Sequence, residues 1–441
     1  MKKQKLNIYQ LNNLNVEEKL REMGYKELYI RKQSIKYHYL ITQILNKYFY
    51  FSRDYNNGYV KIYGELLADD IGHAVDVDGK SKDIVYSIRR HLKEWGVILF
   101  HKHEKGDHDN GHFDSEVYYK ITDEFYKGGY KLISDNELIE KLNSNRIKQR
   151  KKKKYNEKIL KRKQGVTGIY KHLESVYSKI KLDEIGASET LTNALNNGSK
   201  LSTKRVKGKV TERHMDKATE SFYQMFIDRF NQDKFFHIDF NTGRVYSALT
   251  TLPKMFRKHL SIDGESFTEL DIGNSQPLLL SILYRKWCDY NNIEIQKDGE
   301  EYQLLCETAN FYSFFKDYVE KNKVKTYDTF KTDVFARIFF NKDKKKENSY
   351  QRLFKKRFPS VYACISDIKK HNHKDVAFRL QSIEADLIIN KISTRLVEEG
   401  IESFFTIHDS INVLEKDKKR THEVMLEEFA KVELRPTIKE K

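Results

Sequence analysis

The segment Phe404-Phe405-Thr406-Ile407-His408-Asp409-Ser410-Ile411-Asn412-Val413-Leu414 decides how this chain is read. An apolar run enters, the polar turn His408-Asp409-Ser410 interrupts it, and Ile411, Val413 and Leu414 lead away. That pattern predicts a β-hairpin with an acid at its tip. A carboxylate there packs poorly and ligates metal well. Asp271 has a similar setting in Phe267-Thr268-Glu269-Leu270-Asp271-Ile272-Gly273, at the end of a short β-prone run just before a glycine. Either acid alone reads as a solvated turn residue or a helix cap. Two of them on neighbouring strand ends could share a pair of divalent cations, the arrangement that serves in-line displacement of pyrophosphate at phosphorus. The working expectation is nucleotidyl transfer.

The bulk properties agree with that chemistry. A length of 441 residues allows two or three domains with a sizeable core. The formal charge of +17 implies a polyanionic partner, because Lys and Arg gain affinity for nucleic acid by releasing condensed counterions. No apolar run approaches the ~20 residues that span a bilayer, and Met1-Lys2-Lys3-Gln4 opens into polar sequence rather than a signal peptide, so no membrane partner is expected. Cys288, Cys306 and Cys364 are odd in number and not in metal spacing, which reads as buried thiols of a cytoplasmic, reducing compartment.

Residues 1–135 are expected to form one domain. Tyr37 to Phe51, Gly64 to Ile71 and Asp83 to Trp95 read as helices, the third with Ile84, Ile88 and Leu92 on one face and Arg89, Arg90 and Lys93 on another. Gly96 stops it, and Val97–Phe100 and Glu116–Tyr119 read as two strands flanking a polar tip. This order resembles the winged helix-turn-helix of many plasmid and phage replication initiators. The resemblance implies that Arg89 and Arg90 meet nucleic acid in a major groove; the alternative is a helical domain that packs on its neighbour. In the tip, His101, His103, His108 and His112 alternate with Asp107, Asp109 and Asp114. They could ligate a transition metal, but without a cysteine or helical His spacing they read first as a solvated turn.

Residues 136–234 are expected as a basic helical linker or thumb. Lys141 to Lys163 hold twelve Lys or Arg against the single acid Glu157, and the run containing Lys151 and Lys152 reads as a helix following a sugar-phosphate backbone, with a disordered tether or an import signal as alternatives. A second basic stretch, Asn197 to Lys209 with Lys204 and Arg205, is rich in Gly and Ser and reads as a loop. No proline precedes Pro253, which suits a largely helical first half.

From about Phe235 onward, nearly half the chain, five signals occur in a fixed order. They are Thr242-Gly243-Arg244-Val245-Tyr246-Ser247; the run ending Asp271-Ile272-Gly273-Asn274-Ser275-Gln276-Pro277; Lys331-Thr332-Asp333-Val334-Phe335-Ala336-Arg337-Ile338-Phe339; Arg357-Phe358-Pro359-Ser360-Val361; and Gln381-Ser382-Ile383-Glu384-Ala385-Asp386, ahead of His408-Asp409. Together they resemble the single-subunit polymerase superfamily, meaning family A DNA polymerases and the single-subunit phage and mitochondrial RNA polymerases. The resemblance implies an α+β right-hand fold at 235–441, with an antiparallel palm sheet and helical fingers and thumb. It implies Asp271 and Asp409 as ligands of two Mg2+ ions, with Mn2+ as a substitute. Lys331 would face the leaving pyrophosphate, and Phe335 and Phe339 the incoming nucleotide, all on one helix face. Arg244 and Gln381 would touch primer-template DNA, and His408 would position the hairpin or the primer end. Nucleoside triphosphates and a nucleic-acid duplex are the implied partners; the oligomeric state is not legible.

Departures from the family pattern bear on specificity. Tyr327 stands where an arginine is usual before the lysine, so a triphosphate contact shifts elsewhere, with Lys323 or Lys325 as candidates. Gln276 replaces the glutamate of the DNA enzymes and the glycine of the RNA enzymes, and Ser410 follows Asp409 as in the RNA enzymes. Gln276 is bulky enough to crowd a 2′-hydroxyl and Phe339 lacks a phenolic oxygen, which leans toward deoxynucleotides. The expected protein is a small DNA polymerase without a proofreading exonuclease, from a phage, plasmid or other mobile element. The alternatives are a single-subunit RNA polymerase or primase, a replication initiator or regulator with a vestigial polymerase fold, and a two-metal nuclease.

Overall fold

The computed structural model describes residues 7–51, 58–62, 67, 70–71, 74–75, 81–82, 84–103, 116–133, 139–140, 142, 168–206, 209–232, 234–327, 329–341 and 347–441. The chain divides into two compact units. The first is Met1–Gln164 with Leu191–Ser199 and Met215–Arg229; the second is Gly165–Thr190 with Lys200–His214 and Phe230–Lys441. The stretch 136–234, read from sequence as a linker or thumb of its own, is shared between them. Of its described residues, Ile139, Leu142, Met225 and Phe226 join the core of the first unit and Ile169, Tyr170 and Leu173 that of the second.

In the first unit the long helix α1 (Glu27–Phe51) starts ahead of the expected Tyr37, because Ile30 and Ile35 continue the buried face of Tyr37, Leu40, Ile41, Ile44 and Tyr48. Then come β1 (Val60–Ile62), α2 (Ile84–Glu94), β2 (Ile98–His103) and β3 (Glu116–Ile121). The sheet runs β1-β3-β2 with every pairing antiparallel, so there is a third strand where the sequence indicated two. Three residues are too few to display a period of two. Ile84, Ile88 and Leu92 are buried as anticipated, and Gly96 ends the turn after α2 at φ +70°, a conformation that favours glycine. Arg89 turns toward the sheet, with Cζ 5.5 Å from the Tyr119 ring centroid, whereas the exposed Arg90 pairs with Glu94 at 3.6 Å. Most of 64–71, the His-rich tip at 104–115 and the basic run at 143–163 with Lys151 and Lys152 lie outside the described residues.

The second unit contains α3 (Gly168–Lys179), β4 (Lys181–Leu182), the hairpin β5 (Lys200–Val206) and β6 (Lys209–His214), and a short ribbon of β7 (Phe236–Ile238) and β8 (Val245–Ser247). After these come β9 (Leu260–Ile262), β10 (Glu265–Ile272), α4 (Ser275–Asn291), α5 (Phe311–Lys321), α6 (Phe330–Val334), α7 (Ser349–Arg357), α8 (Asp375–Ala385), β11 (Phe404–Ile407), β12 (Ser410–Leu414) and β13 (Ile438–Glu440). The central sheet runs β11-β12-β10-β9-β4, all antiparallel, and β13 pairs with the end of β10 beyond the reach of β9. Every residue of β11 and β12 is buried, which explains why this hairpin shows an apolar run rather than alternation. Phe404, Leu270, Ile411 and Val413 share one core with Leu278 and Leu280 of α4 and Val424 and Met425. Each such side chain contributes about 1.5–3 kcal/mol on leaving water.

Two local expectations change. The basic stretch 197–209 is largely the antiparallel hairpin β5–β6, not a loop; Leu201, Thr203, Val206, Val210 and Thr211 supply β-forming residues between the charges. The segment carrying Lys331 and Phe335 begins as α6 but widens into a π-helix over Phe335–Phe339, and a second π-helix spans Asp386–Ser393. Such insertions are frequent at functional sites.

Candidate active site

The acids predicted at two strand ends come together. Asp271 is paired directly with Ser410 across β10 and β12, and the Ile272 N–H donates to the Asp409 carbonyl at 3.4 Å. The hairpin joins its strands through His408 and Asp409 alone, with His408 at φ +53°, the left-handed region that a non-glycine residue enters at a cost of about 1 kcal/mol. Burial and the charge of Asp271 push the Asp409 carboxyl up to about 6, and Arg244 opposes the rise. Each acid thus feels the other's charge. Glu269 lies two residues before Asp271 on the same strand, hence on the same face.

Cationic and neutral groups surround this pair. Arg257, from the short 3₁₀-helix Lys254–His259, is partly buried. Burial lowers its pKa, and the charges of Glu269, Asp271 and Asp409 act against that. Burial, Arg244 and Arg257 depress His408 to about 4, so near neutral pH its imidazole is uncharged; its ring meets Tyr246 edge-on at 5.8 Å. His408 is therefore suited to positioning rather than to donating a proton.

Arg244 sits at the end of the β7–β8 turn. Asp239 accepts from the Thr242 hydroxyl at 2.8 Å, and the Gly243 N–H donates to the Asp239 carbonyl at 2.7 Å. Gly243 has φ +78°, and a Cβ there would lie 3.2 Å from Tyr170 Oη and 3.3 Å from Ala385 Cβ, so glycine is required. Arg244 Nη2 lies 2.6 Å from Glu384 Oε1, and the Gln276 amide donates to Glu384 Oε2 at 2.5 Å. Glu384 is 3% exposed at its side chain, and burial lifts its carboxyl to about 7 against the opposing charge of Arg244. It ties the β7–β8 turn, α4 and α8 together, with the half-buried Gln381 one turn earlier on α8.

Lys331 is exposed, with Nζ 5.1 Å from the Tyr312 ring centroid. Tyr312, on α5, packs against Phe335 at 6.3 Å, and burial, Cys306 and Asp409 raise its hydroxyl. Phe339, paired by resemblance with the incoming base, is wholly buried against Phe335 at 5.6 Å and Phe354 at 6.0 Å. The half-buried Phe335 is the ring nearer solvent. Tyr327 lies under Lys325, whose Nζ is 5.4 Å from the ring centroid. Lys204 and Arg205 are on β5.

Arg257, Tyr312 and Lys441 belong to none of the sequence signals, and Glu384 stands only inside the fifth, yet each of them acts on the acids or on Arg244. Lys441 Nζ lies 2.5 Å from Asp271 Oδ2 and 3.9 Å from Glu269 Oε1. Among the described residues, no group of three or more His, Cys, Asp and Glu side chains gathers as a metal cluster. No described helix is long and apolar enough to cross a membrane.

The fold and site define a mixed helical and antiparallel-sheet protein with two partly exposed acids, one on a central strand and one in the turn that leads into its neighbour. No family model matches the chain, and no curated protein matches it. A solved structure it is similar to is the POL domain of Pol1 from M. smegmatis in complex with DNA primer-template and dNTP. The two are 12% identical, with a TM-score of 0.30, over 62% of this chain and 63% of that one. A likeness at that level fixes neither fold nor activity.

Proposed function

We propose that this protein is a template-directed nucleotidyltransferase, a DNA polymerase of right-hand type. The observation that carries the reading is the register Asp271↔Ser410, which sets Asp271 beside Asp409 at the ends of neighbouring strands. The six-stranded sheet would be the palm, the helices between α4 and α8 the fingers, and the first unit, whose sheet order suits a winged helix, a further DNA-binding module of phage or plasmid type. The two carboxylates fit Mg2+, which takes one or two of them and completes its shell with substrate phosphates and water. Asp409 is raised by burial first and then by its neighbour's charge, a setting that a bound cation would relieve.

When bound, two Mg2+ ions, or Mn2+ in their place, would lower the pKa of a primer 3′-hydroxyl and neutralise charge at the reacting phosphorus. Asp271 and Asp409 hold that position. Lys331, exposed on α6, meets the departing pyrophosphate, and Phe335 offers a ring to the base. Arg244, braced by Glu384, holds the nucleic acid near the acids, and His408 fixes the turn as a neutral ring. Gln276 is held by Glu384, and in this reading it crowds a ribose 2′-hydroxyl. The Ser410 hydroxyl donates to the Ile407 carbonyl at 3.2 Å, a role within the turn, so it does not argue for an RNA enzyme.

The test is primer extension with Mg2+, run with dNTPs and with rNTPs, with and without primer. Extension by dNTPs that Asp271→Ala and Asp409→Ala abolish supports the reading. De novo synthesis from rNTPs would assign the chain to the RNA polymerases or primases, and DNA binding with no synthesis would leave an initiator or regulator.

A further inference from the structure

The contact between Lys441 and Asp271 has no place in the proposed chemistry, since a metal-binding carboxylate cannot keep an ammonium at the same oxygen. It is not a chance meeting of flexible side chains. The segment leading to it is fixed by backbone bonds: Thr437 N–H to the Glu307 carbonyl at 2.9 Å, Gly273 N–H to the Thr437 carbonyl at 2.8 Å, and the pairings Ile272↔Ile438, Asp271↔Lys439 and Leu270↔Glu440. Beyond β13, Lys441 exchanges both backbone bonds with Glu269, at 3.0 and 3.1 Å. The strand thus delivers the Lys441 side chain to the face that carries Glu269 and Asp271, and Nζ reaches Oδ2 of Asp271 at 2.5 Å. Asp271 is 22% exposed and Lys441 35%, so the pair lies at the open side of the site, within reach of solvent ions.

We propose that Lys441 is a built-in counter-cation of the acid pair, which a divalent metal displaces from Asp271 in order to bind. The proposal rests on the nucleotidyltransferase reading. In the metal-free protein the ammonium offsets the charge of Asp271. On metal binding it swings off β13, whose backbone bonds do not depend on it. No bond is made or broken in this exchange, only one cation for another. Because the pair is partly solvated, its competition is modest, and removing the ammonium tightens metal binding by roughly threefold.

Mn2+ alone is the probe, titrated into the full chain without nucleotide and followed by the electron paramagnetic resonance signal of the free ion. Lys441→Met is expected to bind roughly threefold more tightly than wild type, and Lys439→Met, which removes the same charge from the same strand, to change little. Asp271→Ala is expected to lose the site. Unchanged affinity in Lys441→Met, or an equal gain in Lys439→Met, overturns the counter-cation while the metal site stands. Folded wild type and Lys441→Met that both fail to bind Mn2+ overturn the nucleotidyltransferase reading, and the proposal falls with it.

Discussion

The hairpins at 200–214 and 404–414 have the same connectivity, two antiparallel strands joined through two residues, and almost opposite chemistry. In 404–414 every strand residue is buried, the polar Thr406, Ser410 and Asn412 included, and the acid is confined to the turn. In 200–214 charges run along both strands, from Lys200, Lys204 and Arg205 to Lys209, Glu212 and Arg213, with exposed Lys200 and Glu212 paired across the ladder at 2.5 Å. Backbone pairing makes both hairpins. What differs is what each can do: burial on both faces holds an acid rigidly in low dielectric, whereas a charged ribbon can follow a polyanion.

The largest test of that contrast is chemical. Asp409→Ala or Asp271→Ala should lower primer extension by roughly a thousandfold or more while nucleic-acid affinity stays within about twofold, because the ligands of a two-metal site act in the chemical step. Rates and filter-binding constants on one primed duplex decide it; extension surviving in either variant removes the acids from the mechanism.

Stability comes next. Ile411 is wholly buried, so Ile411→Ala should cost about 2–5 kcal/mol, whereas Leu201→Ala, at a half-buried position of the basic hairpin, should cost about 1 kcal/mol. Urea midpoints of the two variants measure this directly, and equal losses would erase the distinction between the hairpins. On the binding side, Lys204→Glu with Arg205→Glu should weaken duplex affinity by roughly tenfold and flatten its dependence on salt, leaving turnover of the bound complex unchanged. An unaltered salt slope would take β5–β6 out of the nucleic-acid interface.

The smallest effect lies behind the buried tip. Glu384 is raised to about 7, so its contribution to stability is full below its unfolded value and is lost as pH rises through the folded one. Melting temperature should fall between about pH 5 and about pH 8 more steeply in wild type than in Glu384→Gln, the conservative amide. Asp409, raised to about 6, leaves a residual slope of the same sign in the variant. Parallel profiles would mean that Glu384 does not titrate in this range.

The comparison also accounts for what could be read in advance. The buried hairpin, the strand of Asp271 and the apolar face of α2 were legible because burial writes itself as unbroken or periodic apolar residues. The basic hairpin was not, since Gly and Ser between charges look the same in a loop and in a solvated ribbon. Val60–Ile62 and Ile438–Glu440 are too short to carry a pattern, and β13 is placed by pairing with β10, a long-range choice that local sequence does not encode. Glu384 was quoted only as part of a resemblance; its role appears once Gln276 and Arg244 arrive from other elements. The π-helix at Phe335–Phe339 kept Phe335 and Phe339 in ring contact, which is why their four-residue spacing was informative although the regular helix was not there.

Because β10 and β12 are neighbours in the sheet but are separated in the chain by all the helices from α4 to α8, the acid pair is an object of high contact order. Closing so long an excursion is entropically slow, and nothing short of it brings the two carboxyls together. A nascent or half-folded chain carries its cationic segments from the outset yet has not assembled the acid pair, so on the proposed function this molecule would gain affinity for polyanions earlier in its life than it gains chemistry.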